Sequence, residues 1–180
     1  MSKAKLKILT SSLAGCFGCH MSLLDMDERW LELADLVELV RSPLVDTRSQ
    51  SRCDIGLIEG GLCNEENIHL LLEFREQCKI LVAVGACAIN GGVPALRNRY
   101  SVADCLEAVY LHGLNVTQPQ IPSDAELPLL TDKVYPLQEW VKVDYSLPGC
   151  PPPADAFFQL ISALHDGREP DLNYVNRHFD

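Results

Sequence analysis

The chain has no apolar run long enough to cross a bilayer. Stretches such as Ile80-Leu81-Val82-Ala83-Val84 fall far short of the roughly 20 residues a spanning helix needs. Basic residues are scarce: 15 Lys and Arg stand against 25 Asp and Glu, for a net charge of −10. Phosphate backbones call for clustered Lys and Arg, so nucleic acid is excluded as a partner class. The amino terminus shows neither a secretion signal nor a twin arginine. Met1-Ser2-Lys3-Ala4-Lys5-Leu6-Lys7 leads straight into a strand pattern, and the expected location is the cytoplasm. A Walker loop, a metalloprotease helix and a GxSxG nucleophile elbow are all missing. Phosphoryl transfer and hydrolysis therefore lack a motif. Internal repeats and low-complexity segments are absent as well.

What remains is an ordinary globular composition of 180 residues, 47% hydrophobic and 22% charged. That length suits one well-buried core and a single domain over 1–180. Eight cysteines in a reducing compartment point to metal ligation or redox chemistry before a disulfide framework. Core burial is still the default for any one of them, since cysteine is a small hydrophobe.

Strand and helix patterns alternate along the first half. Ser22 with Asp25 reads as a capping box, and Leu23, Met26, Trp30, Leu33, Val37 and Val40 recur at helical spacing. Pro43 would stop that helix, with a short strand over 44–47. A second strand runs from Cys53 to Ile58 and ends at Glu59-Gly60-Gly61. Asn64 caps a helix whose first turn carries Glu65 and Glu66, a charge that suits the helix dipole. The strand over 80–84 follows, then Gly85-Ala86-Cys87-Ala88 and a glycine-rich turn. Ser101 and Asp104 form another capping box, with Gly113 as the stop. This alternation predicts a flavodoxin-like, doubly wound parallel sheet in the α/β class. The stretch 114–136 differs, with Pro119, Pro122, Pro128 and Pro136 and no clear period. It reads as an irregular arm packed on a partner, since long structureless loops are usually functional. A last strand over 141–145, the loop Pro148-Gly149-Cys150-Pro151-Pro152 and a helix over 154–165 complete the chain.

Cys16 and Cys19, Cys87, and Cys150 each follow a hydrophobic strand pattern. In an open parallel sheet the carboxyl ends of the strands form the crevice where ligands bind. Three loops would thus carry thiols into one crevice as a four-sulfur metal site. The sharpest local motif is Gly15-Cys16-Phe17-Gly18-Cys19-His20. Alone it fits a thioredoxin-like dithiol, half a zinc site, part of an iron–sulfur site or a c-type haem attachment. Haem attachment needs export, and a dithiol leaves Cys87 and Cys150 unexplained. Zinc accepts four cysteines, yet a domain with a large core hardly needs a zinc staple. Iron–sulfur ligation fits best, with zinc the surviving rival.

Gly15-Cys16-Phe17-Gly18-Cys19, Glu59-Gly60-Gly61, Gly85-Ala86-Cys87-Ala88-Ile89-Asn90-Gly91-Gly92-Val93-Pro94 with Arg97-Asn98, and Pro148-Gly149-Cys150-Pro151-Pro152 resemble the small subunit of nickel–iron hydrogenases. The short form in cytoplasmic NAD-reducing hydrogenases is the most similar. The resemblance implies one four-iron four-sulfur cluster on Cys16, Cys19, Cys87 and Cys150, beside a nickel–iron centre in a separate large subunit. It implies electron transfer towards an iron–sulfur and flavin diaphorase module, for the reaction H2 + NAD+ = H+ + NADH. The related complex I quinone-reductase subunit typically shows adjacent cysteines where Phe17 and Gly18 here separate them. Longer hydrogenase small subunits carry a second cysteine-rich domain, whereas no cysteine follows Cys150 here. One cluster is therefore the expectation. Flavin mononucleotide near Thr10-Ser11-Ser12 is conceivable, but loop capping is the expected role of those residues.

Glu59, at a strand end, reads equally as a hydrogen-bonding or proton-relay group near the cluster and as a solvated carboxylate. His20 is expected to donate to a cluster sulfur. Cys63 is the rival ligand, while Cys53, Cys78 and Cys105 are expected to fill the core. Trp30 is expected in the core, and His69, His112, His165 and His178 at the surface or helix ends.

Overall fold

Ile8, Leu9, Ile55, Ile58, Leu81, Val82 and Ala83 are almost wholly excluded from solvent, the condition of strands covered on both faces. They belong to a computed structural model that describes residues 4–47 and 52–172. Its strands are β1 (Leu6–Ser12), β2 (Val37–Arg41), β3 (Cys53–Glu59), β4 (Leu62–Asn64), β5 (Cys78–Val84), β6 (Leu130–Tyr135) and β7 (Tyr145–Leu147). The helices are α1 (Gly18–Leu24), α2 (Arg29–Leu36), α3 (Glu65–Gln77), α4 (Gly85–Asn90), α5 (Val102–Tyr110) and α6 (Ala154–Asp166). Five strands form one parallel sheet in the order β2-β1-β3-β5-β7. Counted within that sheet, this is the flavodoxin-like order 2-1-3-4-5, as the alternating pattern predicts. β4 and β6 form a separate antiparallel ribbon.

Each face of the sheet has its own core. On one, Leu23, Leu33, Phe157, Leu160 and Ile161 from α1, α2 and α6, with Met26 from the turn between α1 and α2, pack against Ile8, Ile55, Val82 and Leu147. On the other, Ile68, Leu71 and Phe74 of α3 pack against Leu9, Ile58, Leu81 and Ala83. Trp30 leans on the first core and its indole N–H donates to the Leu23 carbonyl at 3.0 Å, as expected.

Several local expectations are corrected. The long helix through Val40 is broken: Asp27 adopts φ 48, α2 ends at Leu36, and residues 37–41 form strand β2. Val37 and Val40 are β-branched and pair beside β1, a use helical spacing cannot distinguish. Residues 44–47 hold no strand. Ser22 caps nothing; its hydroxyl donates to the Pro152 carbonyl at 2.5 Å, tying α1 to the loop after β7. The last strand lies at Tyr145–Leu147 rather than 141–145. The irregular arm ends earlier than expected, because 130–135 form β6. Thr10, Ser11 and Ser12 sit in β1 rather than in a loop. Asn64 does cap α3, accepting from the Asn67 N–H at 2.8 Å. Ser101 and Asp104 close the expected box, but α5 stops at Tyr110, before Gly113. His178 lies outside the described residues.

At the sheet's edge, Asp144 accepts from Arg75 Nη1 at 2.6 Å and from the Leu81 N–H at 2.9 Å, joining α3 to β5 just before β7. Burial alone would raise the Asp144 carboxyl, but Arg75 and the Leu81 amide hold it below its ordinary range. A carboxyl lowered on folding stabilises above its unfolded value and loses that contribution as pH falls through its folded value. Asp144→Asn should therefore cost about 1.5–3 kcal/mol at neutral pH. It should cost progressively less in acid below about pH 4, read by urea denaturation across pH.

Candidate metal centre

The carboxyl ends of β1, β3, β5 and β7 open into one cavity of about 60 Å3. Its lining includes Cys16, Cys19, Cys87 and Cys150, together with Glu59 and Gly60. The four cysteines that sequence reasoning grouped are thus brought together, from three separate stretches of chain that follow β1, β5 and β7. Cys16 and Cys150 are exposed at the mouth, and Cys19 and Cys87 are half-buried.

Backbone hydrogen bonds stitch the loops in place. Ala14 and Gly61 exchange N–H···O bonds at 3.0 and 2.8 Å, and the Leu13 N–H donates to the Glu59 carbonyl at 2.9 Å. Across the cavity the Ala86 N–H donates to the Gly149 carbonyl at 2.9 Å. The Cys150–Pro151 peptide is cis. Glycines stand where the sulfurs need room. A β-carbon on Gly18 would lie 3.1 Å from Cys16 Sγ, one on Gly92 would lie 2.8 Å from Cys87 Sγ, and one on Gly85 would collide with Cys19 Sγ. Gly85 and Gly92 also have positive φ, of 78° and 49°, which glycine adopts at little cost.

A buried polar chain braces the first loop from behind. Glu59 Oε2 accepts from the Cys19 N–H at 2.9 Å, and Oε1 accepts from His20 Nδ1 at 2.7 Å. His20 Nε2 meets Thr10 Oγ1 at 2.9 Å, and Thr10 meets Ser42 Oγ at 2.6 Å. Phe17, in the left-handed region at φ 66, stacks on the His20 ring with centroids 4.6 Å apart. Glu59 is only 3% exposed and His20 only 4%, so the solvated-carboxylate reading of Glu59 is overturned. The expected His20 donation to a cluster sulfur is overturned too, because both ring nitrogens are already engaged. Burial would raise the Glu59 carboxyl, but the hydrogen bond and electrostatic pull of His20 hold it below the usual range. Burial, and then the Glu59 carboxylate, push the Cys19 thiol well up. Burial raises Cys87 as well. This brace escaped the sequence reading, although polar Thr10 inside an apolar strand was its visible sign.

The other cysteines stand apart from the cavity. Cys63 is half-buried in β4, its thiol 3.3 Å from Asn67 Oδ1. Cys53 and Cys78 are buried in the core as expected, but they face each other across β3 and β5 and form a disulfide, a pairing the sequence reading had set aside. Cys105 is half-buried on α5, a helix with no buried residue, so it does not fill the core. His69 and His112 are exposed and His165 lies in the last turn of α6. Among the described residues, no three His, Cys, Asp or Glu side chains converge closely enough to hold a single metal ion. No helix among them is long and apolar enough to cross a membrane.

The family model of the NADH ubiquinone oxidoreductase 20 Kd subunit matches residues 16–164. The NAD-reducing hydrogenase HoxS subunit delta of Cupriavidus necator is 47% identical over 98% of this chain and 87% of its own length. A subunit of the vhu F420-non-reducing hydrogenase of Methanococcus voltae is 40% identical over 93% of this chain. This chain spans only 59% of that relative's length. In solved structures, a chain of an NAD+-reducing [NiFe]-hydrogenase in the H2-reduced state superposes with a TM-score of 0.94 at 49% identity, covering 98% of this chain and all of that one. A [NiFeSe] hydrogenase chain from Desulfovibrio vulgaris Hildenborough shares the fold alone, at 17% identity and a TM-score of 0.61, over 91% of this chain and 60% of its own. By sequence across the cavity loops and by fold across nearly its whole length, this chain belongs to the NADH ubiquinone oxidoreductase 20 Kd subunit family, among its nickel–iron hydrogenase small subunits.

Proposed function

We propose that this chain carries one four-iron four-sulfur cluster on Cys16, Cys19, Cys87 and Cys150. Through it, the chain would relay electrons between a nickel–iron large subunit and an NAD-linked iron–sulfur and flavin module. The observation that carries the reading is the single glycine-padded cavity lined by those four cysteines. Four thiols spread around a cavity suit a cluster in which each meets its own iron, whereas one zinc ion needs them to converge. The bound cluster would supply one-electron transfer. In the overall reaction H2 gives up two protons and two electrons, and NAD+ takes two electrons and one proton.

This chain's own residues position and insulate. Glu59 holds the Cys19 amide, His20 holds Glu59, and the close glycines let backbone replace water around the sulfurs. Metal binding would displace the protons that burial retains on Cys19 and Cys87. Residues 1–180 act as a single domain in this reading, and the complex works in the cytoplasm. Flavin mononucleotide gains no support from Thr10, which is committed to His20 and Ser42 inside β1.

A tagged chain purified anaerobically from its host, with metals measured on whatever accompanies it, tests the proposal. Iron together with nickel is the expected result. Iron without nickel would move the chain to another electron-transfer complex, such as the quinone reductase for which the family is named. Zinc alone would overturn the redox reading.

A further inference from the structure

Every residue of α5 except Asp104 and Glu107 is apolar, yet none is buried. Val102, Leu106 and Tyr110 line one wall of a groove of about 490 Å3, and Pro122, Leu127 and Leu129 of the arm line the other. Leu129 is 68% exposed, Leu127 50% and Tyr110 40%. Contiguous apolar surface of this kind marks an interaction site.

The charge carried by α5 and the arm, the two walls of the groove, has one sign. From Tyr100 to Thr131 the sequence contains no Lys or Arg, while Asp104, Glu107, Asp124 and Glu126 are all exposed. The Glu65 N–H donates to the Leu129 carbonyl at 3.0 Å, which brings exposed Glu65 and Glu66 of α3 to the arm's end of the groove. A second copy of this chain would set the same carboxylates against themselves in an isologous contact, and like charges oppose such pairing. Anionic lipid and nucleic acid are repelled for the same reason.

The groove also belongs to the unit that carries Cys87. A 3-10 helix (Pro94–Arg99) follows α4. From it, Asn98 donates to the Val134 carbonyl at 2.9 Å and accepts from the Val134 N–H at 2.7 Å. Arg97 donates to the Thr131 carbonyl at 2.9 Å. β6 is thereby locked to the Cys87 segment, and Leu130 at its start lines the groove.

We infer that the groove between α5 and the arm docks a segment of a different subunit of the same complex. That segment carries apolar anchors flanked by Lys or Arg. The inference rests on the reading of this chain as one subunit of a larger hydrogenase, and it adds the place and chemistry of a contact. The test uses the whole complex purified from the host, with a benzophenone amino acid in place of Leu129, irradiated anaerobically and digested for mass spectrometry. The expected adduct joins Leu129's position to a peptide of another subunit in which apolar residues are flanked by Lys or Arg. Leu129→Glu, with iron content unchanged, should then lower retention of that subunit at least tenfold at raised salt. Adducts to a second copy, to this chain's own terminal residues or to a peptide without basic flanks would overturn the inference. So would an intact complex that gives no adduct, or one that keeps the crosslinked subunit fully in Leu129→Glu. If the unsubstituted chain purifies with no other subunit, the proposed function fails and this inference fails with it. An intact complex with the wrong adduct sinks the groove alone.

Discussion

Replacing Cys87 with serine is expected to strip the purified chain of essentially all its iron and of its visible cluster absorbance. Cys63→Ser should retain both. Cys87 lies on the cavity wall with Gly92 packed against its sulfur, and the helix that carries it, α4, offers no second thiol. Serine would present a hydroxyl that gives up its proton far less readily than a thiol, so iron would lose one of its anionic ligands. Cys63 is the control because it sits in β4, in the separate two-stranded ribbon. Its thiol is engaged by Asn67 rather than facing the cavity. Cys16→Ser, Cys19→Ser and Cys150→Ser should behave as Cys87→Ser does. Iron measured per chain after anaerobic purification decides the matter: a fully loaded Cys87→Ser protein would sink the ligand assignment.

His20→Ala is expected to give the largest loss of stability among the polar substitutions. The imidazole supplies the Glu59 Oε1 hydrogen bond at 2.7 Å and fills a site only 4% exposed. Without it a buried carboxylate stays behind, held by the Cys19 amide and the Ser12 side chain. Removing one partner of a buried pair costs about 3–5 kcal/mol, well above the ~1 kcal/mol of an average hydrogen bond. For a chain of this size each kcal/mol lowers the melting temperature by roughly 2–4 °C, so the loss should be roughly 6–20 °C. His20→Gln, which keeps a donor on a flexible stem, should recover part of it. Thermal unfolding followed by circular dichroism gives the answer, and an unchanged melting temperature for His20→Ala would mean that His20 is not the partner that stabilises Glu59.

The parts of this architecture that repeat were legible from the residues alone. Buried parallel strands announce themselves as short apolar runs, and Asn64 and Ser101 mark helix starts by chemistry that needs no tertiary context. The grouping of Cys16, Cys19, Cys87 and Cys150 was legible for the same reason, since strand ends in a doubly wound sheet share one crevice. The misreadings share a cause. Residues 37–41 mimic helical spacing because Val37 and Val40, three positions apart, are buried on opposite faces of the sheet, one in each core. β6 was invisible because its strand partner, β4, is three residues long and far away in sequence. The Thr10–His20–Glu59 brace joins residues up to 49 positions apart, and spacing says nothing about contacts of that range.

The central sheet is closed on one side by β7, which pairs only with β5 and is the last of its strands to be made. Just beyond it lies Cys150, while Cys16 follows the first strand. During synthesis the cavity therefore has three walls until residues 145–147 have left the ribosome and joined the sheet. Truncation after β5, or failure of β7 to dock, would leave Cys16, Cys19 and Cys87 on a half-built rim open to oxidation and to stray metals.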